Sequence, residues 1–153
     1  MSITPVHSAD ILLVEDNPND VELTVEALMS YKLVNVITVV SDGEEALDYL
    51  NCKGKYTDRS PGNPMLIILD IKLPKIDGLE VLRRIRSDEK LKFIPVVVFS
   101  SSREEPDLAE SYRLGVNAYV VKPVDFPEFN EAVKRLGLFW TISNEPPPGE
   151  SGI

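Results

Sequence analysis

The sequence predicts an α/β fold: a doubly wound, five-stranded parallel sheet with five helices covering its two faces. Short apolar runs bounded by turn residues alternate with amphipathic stretches of helical period. Such alternation favours parallel pairing with right-handed crossovers, and the expected strand order is 2-1-3-4-5. The chain has 153 residues, of which 43% are apolar and 27% charged, and this composition suits one domain with a single core.

Five apolar runs are the candidate strands. Each is short and rich in Val, Ile or Leu, as expected of strands that are buried on both faces of a sheet. Asp70 ends the third run, which we expect to be a central strand. The five runs span residues of about 10–14, 35–40, 65–70, 95–99 and 117–121.

Caps and apolar spacing predict the first two helices. The first begins near Pro18, with Asn17 as its candidate N-cap. The second follows Asp42 and runs to about Leu50. Apolar residues of the first helix recur at i, i+4 and i+7, and therefore share one face: Val21, Val25 and Leu28.

Three further helices are expected later in the chain. The third starts near Gly78, and the fourth runs from about Glu104 to Leu114, with Gly115 as a C′ candidate. The fifth starts near Asp125. The third helix is expected to bury Leu79, Leu82 and Ile85. Apolar residues recur along the fifth helix at i, i+4, i+7 and i+11: Phe129, Val133, Leu136 and Trp140.

Three segments fall outside the alternation. Residues 51–64 form a polar loop that is longer than a usual helix–strand connection. We expect residues 1–8 to be flexible and the Pro-rich tail over 144–153 to be disordered. These limits leave one domain over 9–143, with the 51–64 loop inserted in it.

Composition excludes several classes of function. The net charge of −9 argues against binding to nucleic acid or an anionic membrane. The apolar runs are too short to span a bilayer, and no signal-peptide core follows Met1. Cys52 has no partner for an internal disulfide, and its bland interpretation is an incidental residue near a loop. We therefore expect a cytoplasmic protein that binds neither nucleic acid nor membrane.

Acidic residues end two of the predicted strands. Glu15-Asp16 follow the first strand and Asp70 ends the third, so they should meet at the carboxyl edge of the sheet, where ligands bind in open α/β folds. Three carboxylates in one small site repel one another, and a purely structural role would require one or two of them to be protonated or salt-bridged elsewhere. Their oxygens suit Mg²⁺, and a metal beside Asp70 would allow this carboxylate to attack phosphorus.

A lysine and a hydroxyl should join the acids at this edge. Lys122, directly after the fifth strand, can pair with Asp70 or with a phosphoryl oxygen. Ser100 can donate its hydroxyl to a phosphoryl oxygen, although loop polarity and helix capping explain it equally well. Tyr119 inside the last strand is either a packing residue or part of a switch.

Missing motifs narrow the chemistry. His7 lies ahead of the first strand, so no credible histidine base is available and a Ser-His-Asp hydrolase is excluded. The sequence contains neither Gly-x-Gly-x-x-Gly nor a P-loop, which are the motifs of dinucleotide and nucleoside triphosphate folds.

In its ordered motifs, the chain resembles the receiver domain of two-component response regulators over residues of about 8–142. Any one of these motifs is weak alone, whereas five in order are specific. The resemblance implies the flavodoxin-like architecture that the alternation of strands and helices predicts. The motifs are Glu15-Asp16, Asp70 with Leu73-Pro74 and Asp77-Gly78, Ser100, Tyr119, and Lys122-Pro123.

The resemblance implies roles for individual residues. Asp70 would be the phosphoacceptor that takes a phosphoryl group from the histidine of a sensor kinase, and Lys122 would contact that group. Ser100 and Tyr119 would form a switch pair that acts on the surface of the fourth helix, fifth strand and fifth helix. The implied Mg²⁺ ligands are Glu15, Asp16, Asp70 and the backbone carbonyl of Lys72.

Finer features indicate a subfamily. The 51–64 loop and the Phe139-Trp140 ending resemble single-domain regulators that partner bacterial and cyanobacterial phytochromes. The resemblance implies a bacteriophytochrome as a candidate kinase, a downstream histidine phosphotransfer protein, and a homodimer formed through the C-terminal face. Lys72 and Ser102 stand at positions that vary in the family, and we expect them to influence the lifetime of the phosphoryl group.

Three rival functions share parts of this pattern. A phosphatase or phosphotransferase of the haloacid-dehalogenase type also uses a strand-end Asp, but it wants a second Asp where Lys72 stands. An FMN-binding protein needs a hydroxyl-rich loop where Glu15-Asp16 would repel the phosphate. A receiver-shaped scaffold that is never phosphorylated is the third alternative, which the acid, hydroxyl and lysine set disfavours.

Overall fold

The computed structural model describes residues 9–29, 34–122 and 127. Five strands form one parallel sheet in the order β2-β1-β3-β4-β5, which confirms the predicted fold class and strand order. The strands are β1 (Ala9–Val14), β2 (Val34–Val40), β3 (Leu66–Leu69), β4 (Val96–Ser100) and β5 (Ala118–Val121). The helices are α1 (Pro18–Met29), α2 (Gly43–Asn51), α3 (Gly78–Ser87) and α4 (Glu105–Arg113), with a 3-10 turn over Gly54–Tyr56.

Several expectations lie outside the described residues. They are the flexible 1–8 segment with His7, the fifth helix with its Trp140, and the 144–153 tail. The domain limits of 9–143 also stay a prediction. Within the described residues, no helix has the length and apolar character needed to cross a bilayer.

Strand register brings the carboxyl ends of the strands to one edge. Val14 of β1 pairs with Leu69 of β3, which is one residue past the pairing of Ile68 with Val97 on β4. Ser100, at the end of β4, pairs with Val121 of β5. The residues that follow β1, β3 and β5 therefore emerge side by side.

The sheet separates two apolar layers, because successive side chains of a strand point to opposite faces. Ile11 and Leu13 of β1 face a layer that contains Leu28 of α1. Leu12 and Val14 face the other layer, which α2 and α3 cover. Full burial of a Leu or Ile side chain stabilises a fold by about 1.5–3 kcal/mol, so the sheet is a firm base for the loops at its edge.

Side-chain caps start the helices where the sequence predicts. Asn17 Oδ1 accepts hydrogen bonds from the backbone N–H groups of Asn19 and Asp20, at 2.9 and 3.2 Å. Asp42 and Asp77 cap α2 and α3 in the same way. These contacts satisfy amide groups that have no partner inside the helix and fix the direction in which each helix leaves the edge of the sheet.

Two glycines fit the backbone where other residues would not. A Cβ atom at Gly78 would lie 2.2 Å from the carbonyl oxygen of Asp70, so only glycine lets α3 pack this closely against the loop after β3. Gly115 has a φ of +80° at the end of α4, which confirms its predicted role in ending that helix.

The polar loop before β3 is tied to α2. The Tyr56 hydroxyl donates a 2.6 Å hydrogen bond to Glu45, and the guanidinium of Arg59 lies 4.0 Å from the centre of the Tyr49 ring. Arg59 also donates to the sulfur of Cys52 at 3.0 Å. Cys52 is half-buried and packs into this loop, in agreement with its interpretation as an incidental residue near a loop.

Candidate functional site

The predicted site residues converge at the carboxyl edge of the sheet. Glu15 directly follows β1, Asp70 follows β3, and Lys122 follows β5. Glu15 and Asp70 are almost completely buried, with 3% and 6% of their surface exposed, whereas Asp16 is exposed. The last residue of β4, Ser100, is fully buried.

Three carboxylates form a compact group of oxygen ligands. Glu15, Asp16 and Asp70 each offer an oxygen, and these atoms all lie within 4.8 Å of one another. An all-oxygen donor set suits a hard divalent cation such as Mg²⁺ or Mn²⁺, which keeps part of its coordination for waters. The residues therefore fit the predicted metal.

Lys122 is the centre of an ion-pair network. Its Nζ donates to Glu15 Oε1 at 2.6 Å, to Asp20 Oδ2 at 2.8 Å and to Asp70 Oδ2 at 3.2 Å. Only 14% of the Lys122 side chain is exposed. The ammonium is thus shared among three acids that come from the loop after β1, the first turn of α1, and the loop after β3.

The electrostatics of the site favour added positive charge. Burial raises the pKa of Glu15 to about 7, and the neighbouring Asp70 charge adds to this effect, while the hydrogen bond from Lys122 offsets only part of it. Burial alone would lower the pKa of Lys122, but hydrogen bonds to Asp20 and Glu15 outweigh it and raise the pKa above its ordinary value. Lys122 therefore stays charged, and the acids still outnumber it.

Asp20 belongs to this network, although the sequence analysis did not identify it. It lies on the first turn of α1, where acidic residues are common for reasons unconnected with ligands. The available signal was its position, because α1 starts directly after the acids of β1 and its first turn stands over the same sheet edge. The structure shows that its carboxylate reaches Lys122 across 102 residues of sequence.

The hydroxyl side of the site is a separate hydrogen-bonded chain. Ser100 Oγ accepts from the backbone N–H of Ser102 at 3.2 Å. The Tyr119 hydroxyl donates to the backbone carbonyl of Ser102 at 3.0 Å, and its half-buried ring packs against the core. Both members of the predicted switch pair thus contact the same residue of the β4–α4 loop.

Lys72 and Ser102 are linked through α4. The backbone N–H of Lys72 donates to Asp70 Oδ1 at 3.2 Å, while its ammonium lies 3.5 Å from Asp107 Oδ2. The Ser102 hydroxyl donates to the same Asp107 oxygen at 2.6 Å. The sequence analysis named Lys72 and Ser102 but missed Asp107, because nothing in the pattern of α4 distinguishes this acid from the others on that helix.

An open cleft of about 400 Å³ gives access to the acids and to Lys122. Ser101 and Lys72 also line it, whereas the Ser100 side chain does not. The cleft is large enough for a phosphoryl group and several waters, since one water occupies about 30 Å³ of liquid volume. The arrangement can accept an anionic group at Asp70, with Lys122 beside it and carboxylates able to hold a cation.

Comparison with protein families gives one clear match. The response regulator receiver domain family matches residues 11–134. This span contains every site residue described above and most of the chain.

Comparison with solved structures gives close neighbours. The bacteriophytochrome response regulator RtBRR is 55% identical with a TM-score of 0.79, covering 95% of this chain and 87% of that chain. The phosphorylated cyanobacterial phytochrome response regulator RcpA is 43% identical with a TM-score of 0.77, covering 92% of this chain and 99% of that chain.

A third relative is known both as a sequence and as a structure. The response regulator Rcp1 of Synechocystis sp. (strain ATCC 27184 / PCC 6803 / Kazusa) is 40% identical over 130 residues, which are 85% of this chain and 87% of Rcp1. A crystal structure of the Mn²⁺-bound form of response regulator Rcp1 is 37% identical with a TM-score of 0.77, covering 91% of this chain and 99% of that chain.

Proposed function

This chain belongs to the response regulator receiver domain family and resembles its phytochrome-associated members, and we propose that it accepts a phosphoryl group on Asp70 from a sensor histidine kinase. The single observation that carries the proposal is the contact of one lysine with three acids, one of which is the strand-end aspartate Asp70. Lys122 Nζ lies 3.2 Å from Asp70 Oδ2, in a cleft open to a donor. Asp70 is thus a nucleophile with a fixed cation beside it.

The transfer step follows from these groups. One carboxylate oxygen of Asp70 attacks the phosphorus of a phosphohistidine, and an O–P bond forms as the N–P bond breaks. The electron pair of the broken bond returns to the imidazole nitrogen, which takes up a proton from solvent. The Lys122 ammonium stabilises negative charge on the transferring oxygens, and the backbone N–H of Lys72 holds the other oxygen of Asp70 in place.

A divalent cation completes the charge balance. Glu15, Asp16 and Asp70 are the side chains that would hold Mg²⁺, and the backbone carbonyl of Lys72 is the fourth proposed ligand. When bound, the cation supplies charge neutralisation at the phosphoryl oxygens. Hydrolysis ends the signal: water adds to the phosphorus, inorganic phosphate leaves, and the Asp70 carboxylate is restored. The protein thereby catalyses its own phosphorylation and dephosphorylation and acts as a switch.

The signal should leave the site through the hydroxyl side. Phosphorylation replaces the single negative charge of the Asp70 carboxylate with a phosphoryl group of about −1.5 to −2 charges. The Ser100 hydroxyl is the side-chain hydrogen-bond donor of β4 that can turn toward this group. Ser100 now accepts the N–H of Ser102, so its movement would release the loop to which the Tyr119 hydroxyl is also bonded. The readout surface is then α4, β5 and the predicted fifth helix.

The relatives support candidate partners for this chain. The likeness to RtBRR and RcpA supports a phytochrome-type histidine kinase, with a bacteriophytochrome as the candidate donor. A histidine phosphotransfer protein is the proposed next acceptor. We also propose a homodimer through the C-terminal face, for which Trp140→Ala should weaken self-association in sedimentation.

The first test is the intact mass of the protein after incubation with acetyl phosphate, with and without Mg²⁺. We expect a gain of one phosphoryl group that requires Mg²⁺ and is absent from Asp70→Asn. Asparagine allows the same backbone contacts as Asp70, so the variant should remain folded. Circular dichroism checks this. Labelling that persists in Asp70→Asn would refute the assignment of Asp70.

A further inference from the structure

We propose that Asp20 is a positioning residue that anchors the Lys122 ammonium beside Asp70 when the other acids engage a divalent cation. The proposal rests on the proposed function, because it assigns Lys122 to the transferring phosphoryl group. The position of Asp20 on the first turn of α1 places it near this edge of the sheet, but its contact with Lys122 is seen only in the folded protein.

Among the residues that the structure describes, the Lys122 ammonium has three carboxylate partners, and two of them are also proposed cation ligands. Glu15 and Asp70 belong to the group of oxygens that lie within 4.8 Å of one another, and Asp20 does not. Asp20 is nevertheless closer to Lys122 than Asp70 is, at 2.8 Å against 3.2 Å. It is therefore the one partner of Lys122 that remains free to hold the ammonium when a cation draws the oxygens of the other two.

The position of Asp20 is well defined. Its backbone N–H is bonded to the Asn17 side chain at the start of α1, which fixes the first turn of the helix. About a third of its side chain is exposed, and it lines the same cleft as Asp70 and Lys122. Asp20 lies on a helix that packs against the core, so it can hold the long side chain of Lys122 in one conformation. The entropic cost of ordering this lysine is then small when the phosphoryl group binds, because its rotamer freedom has already been lost.

Charge makes such an anchor necessary. A divalent cation among Glu15, Asp16 and Asp70 would repel the Lys122 ammonium and weaken its contacts with the shared carboxylates. With Asp20 in place, the ammonium keeps a charge-assisted hydrogen bond of 2.8 Å within reach of Asp70. Without it, Lys122 would turn toward solvent in the loaded state, and the phosphoryl oxygens would lose the ammonium as a partner.

The structure offers a conservative variant and a matched control. Asp20→Asn removes the charge and keeps the shape, and Asp20→Glu restores the charge on a longer side chain. Glu22→Gln removes one charge from the exposed surface of the same helix two residues away. Glu22→Gln changes the net charge by the same amount as Asp20→Asn. A comparison of the two variants therefore separates the effect of the Lys122 contact from the effect of net charge.

The first readout is the pairing itself, measured without cation. A double-mutant cycle of Asp20→Asn with Lys122→Met, followed by urea unfolding in chelator, should show a coupling of about three- to tenfold in the folding equilibrium constant. The second readout is the rate of phosphorylation by acetyl phosphate at saturating Mg²⁺. We expect about a tenfold loss for Asp20→Asn, partial recovery for Asp20→Glu and no change for Glu22→Gln, with Mg²⁺ affinity by calorimetry altered less than the rate.

Two results would overturn the proposal. One is a large loss of Mg²⁺ affinity in Asp20→Asn with the full rate recovered at saturating Mg²⁺, which would make Asp20 a cation ligand. The other is an unchanged phosphorylation rate in Asp20→Asn together with no coupling between Asp20 and Lys122 in the double-mutant cycle. Absence of labelling in every protein, wild type included, would instead overturn the proposed function. The metal-free double-mutant cycle does not depend on labelling, so it still shows in that case whether Asp20 and Lys122 are coupled.

Discussion

Glu15 and Glu45 are both glutamates bonded to a lysine, yet their pKa values move in opposite directions. Lys122 lies 2.6 Å from Glu15, and Lys55 lies 2.9 Å from Glu45. Burial raises the pKa of Glu15 to about 7. Burial also acts to raise the pKa of Glu45, but the Tyr56 hydroxyl, Lys55 and a backbone N–H outweigh it and lower the pKa to about 2.

The opposite directions come first from burial, since the Glu15 side chain is 3% exposed and that of Glu45 18%, and then from the donors around each carboxylate. Glu15 shares its lysine with Asp20 and Asp70, so negative charge remains in excess at the sheet edge. Glu45 is served by several donors of its own, as in an ordinary structural contact. A carboxylate with too few donors is poised to bind a cation, whereas one with enough donors fastens a loop.

The largest expected effect on phosphorylation comes from replacing Lys122, the lysine that pairs with Glu15. Lys122→Met should slow phosphorylation by acetyl phosphate about 100-fold, because it removes the fixed cation beside Asp70. Mg²⁺ affinity should hold or increase, since the ammonium no longer competes for the carboxylates. Mass spectrometry over time and calorimetry measure the two effects, and a variant that is phosphorylated at the normal rate would remove Lys122 from the chemistry.

The dependence of stability on pH sharpens the comparison. Since the pKa of Glu15 is raised, the folded protein binds this proton more tightly than the unfolded chain does, and unfolding becomes harder as the pH falls from about 7 toward 4.5. The lowered pKa of Glu45 acts the other way: its stabilisation is complete above 4.5 and is lost as the pH falls to about 2. Each slope is at most about 1.4 kcal/mol per pH unit.

Urea titrations of the metal-free protein across both ranges measure these slopes. Glu15→Gln should flatten the upper range alone, and Glu45→Gln the lower range alone. Equal behaviour of the two variants in the upper range would show that Glu15 does not carry the raised pKa.

A smaller effect is expected from the hydrogen bond that fastens the loop. Tyr56→Phe removes the 2.6 Å donation to Glu45 and should lower the free energy of unfolding by about 1.5–3 kcal/mol, a range typical of bonds to a charged group. Phosphorylation should be unaffected, because neither residue lines the cleft. Urea unfolding and the acetyl phosphate assay test both statements, and a slower phosphorylation rate would mean that the loop communicates with the site.

The smallest effect should come from the lysine of the loop. The Lys55 side chain is 70% exposed, and an exposed ion pair contributes about 0–1 kcal/mol. Lys55→Met is therefore expected to change stability by less than about 0.5 kcal/mol and to leave phosphorylation unchanged. Compared with Lys122→Met in the same assays, it shows whether burial and shared acids separate the two lysines. A similar loss in both variants would contradict that view.

Local patterns predicted the fold well. Apolar runs, the Asn17 cap and the glycine after α4 act within a few residues, and each was found where expected. The meeting of Glu15, Asp70 and Lys122 at one edge was also predicted, because each follows a strand and the carboxyl ends of parallel strands lie at the same edge of the sheet.

Contacts between distant side chains escaped prediction. Asp20 and Asp107 lie on helices where acidic residues are common, and only the three-dimensional packing brings them to Lys122 and Lys72. The bond from Tyr56 to Glu45 depends on how the polar loop folds back on α2, which no sequence period specifies. Rotamers and loop paths decide such pairs, and these are set by the whole fold rather than by neighbouring residues.

The contact between Gly78 and the Asp70 carbonyl has an evolutionary consequence. A side chain at position 78 would push directly on the backbone of the proposed phosphoacceptor, so natural variation can explore the surface of α3 but not its first residue. New specificity for partners can therefore arise through exposed positions of this helix, while the spacing between the helix and the reacting carboxylate stays fixed over generations.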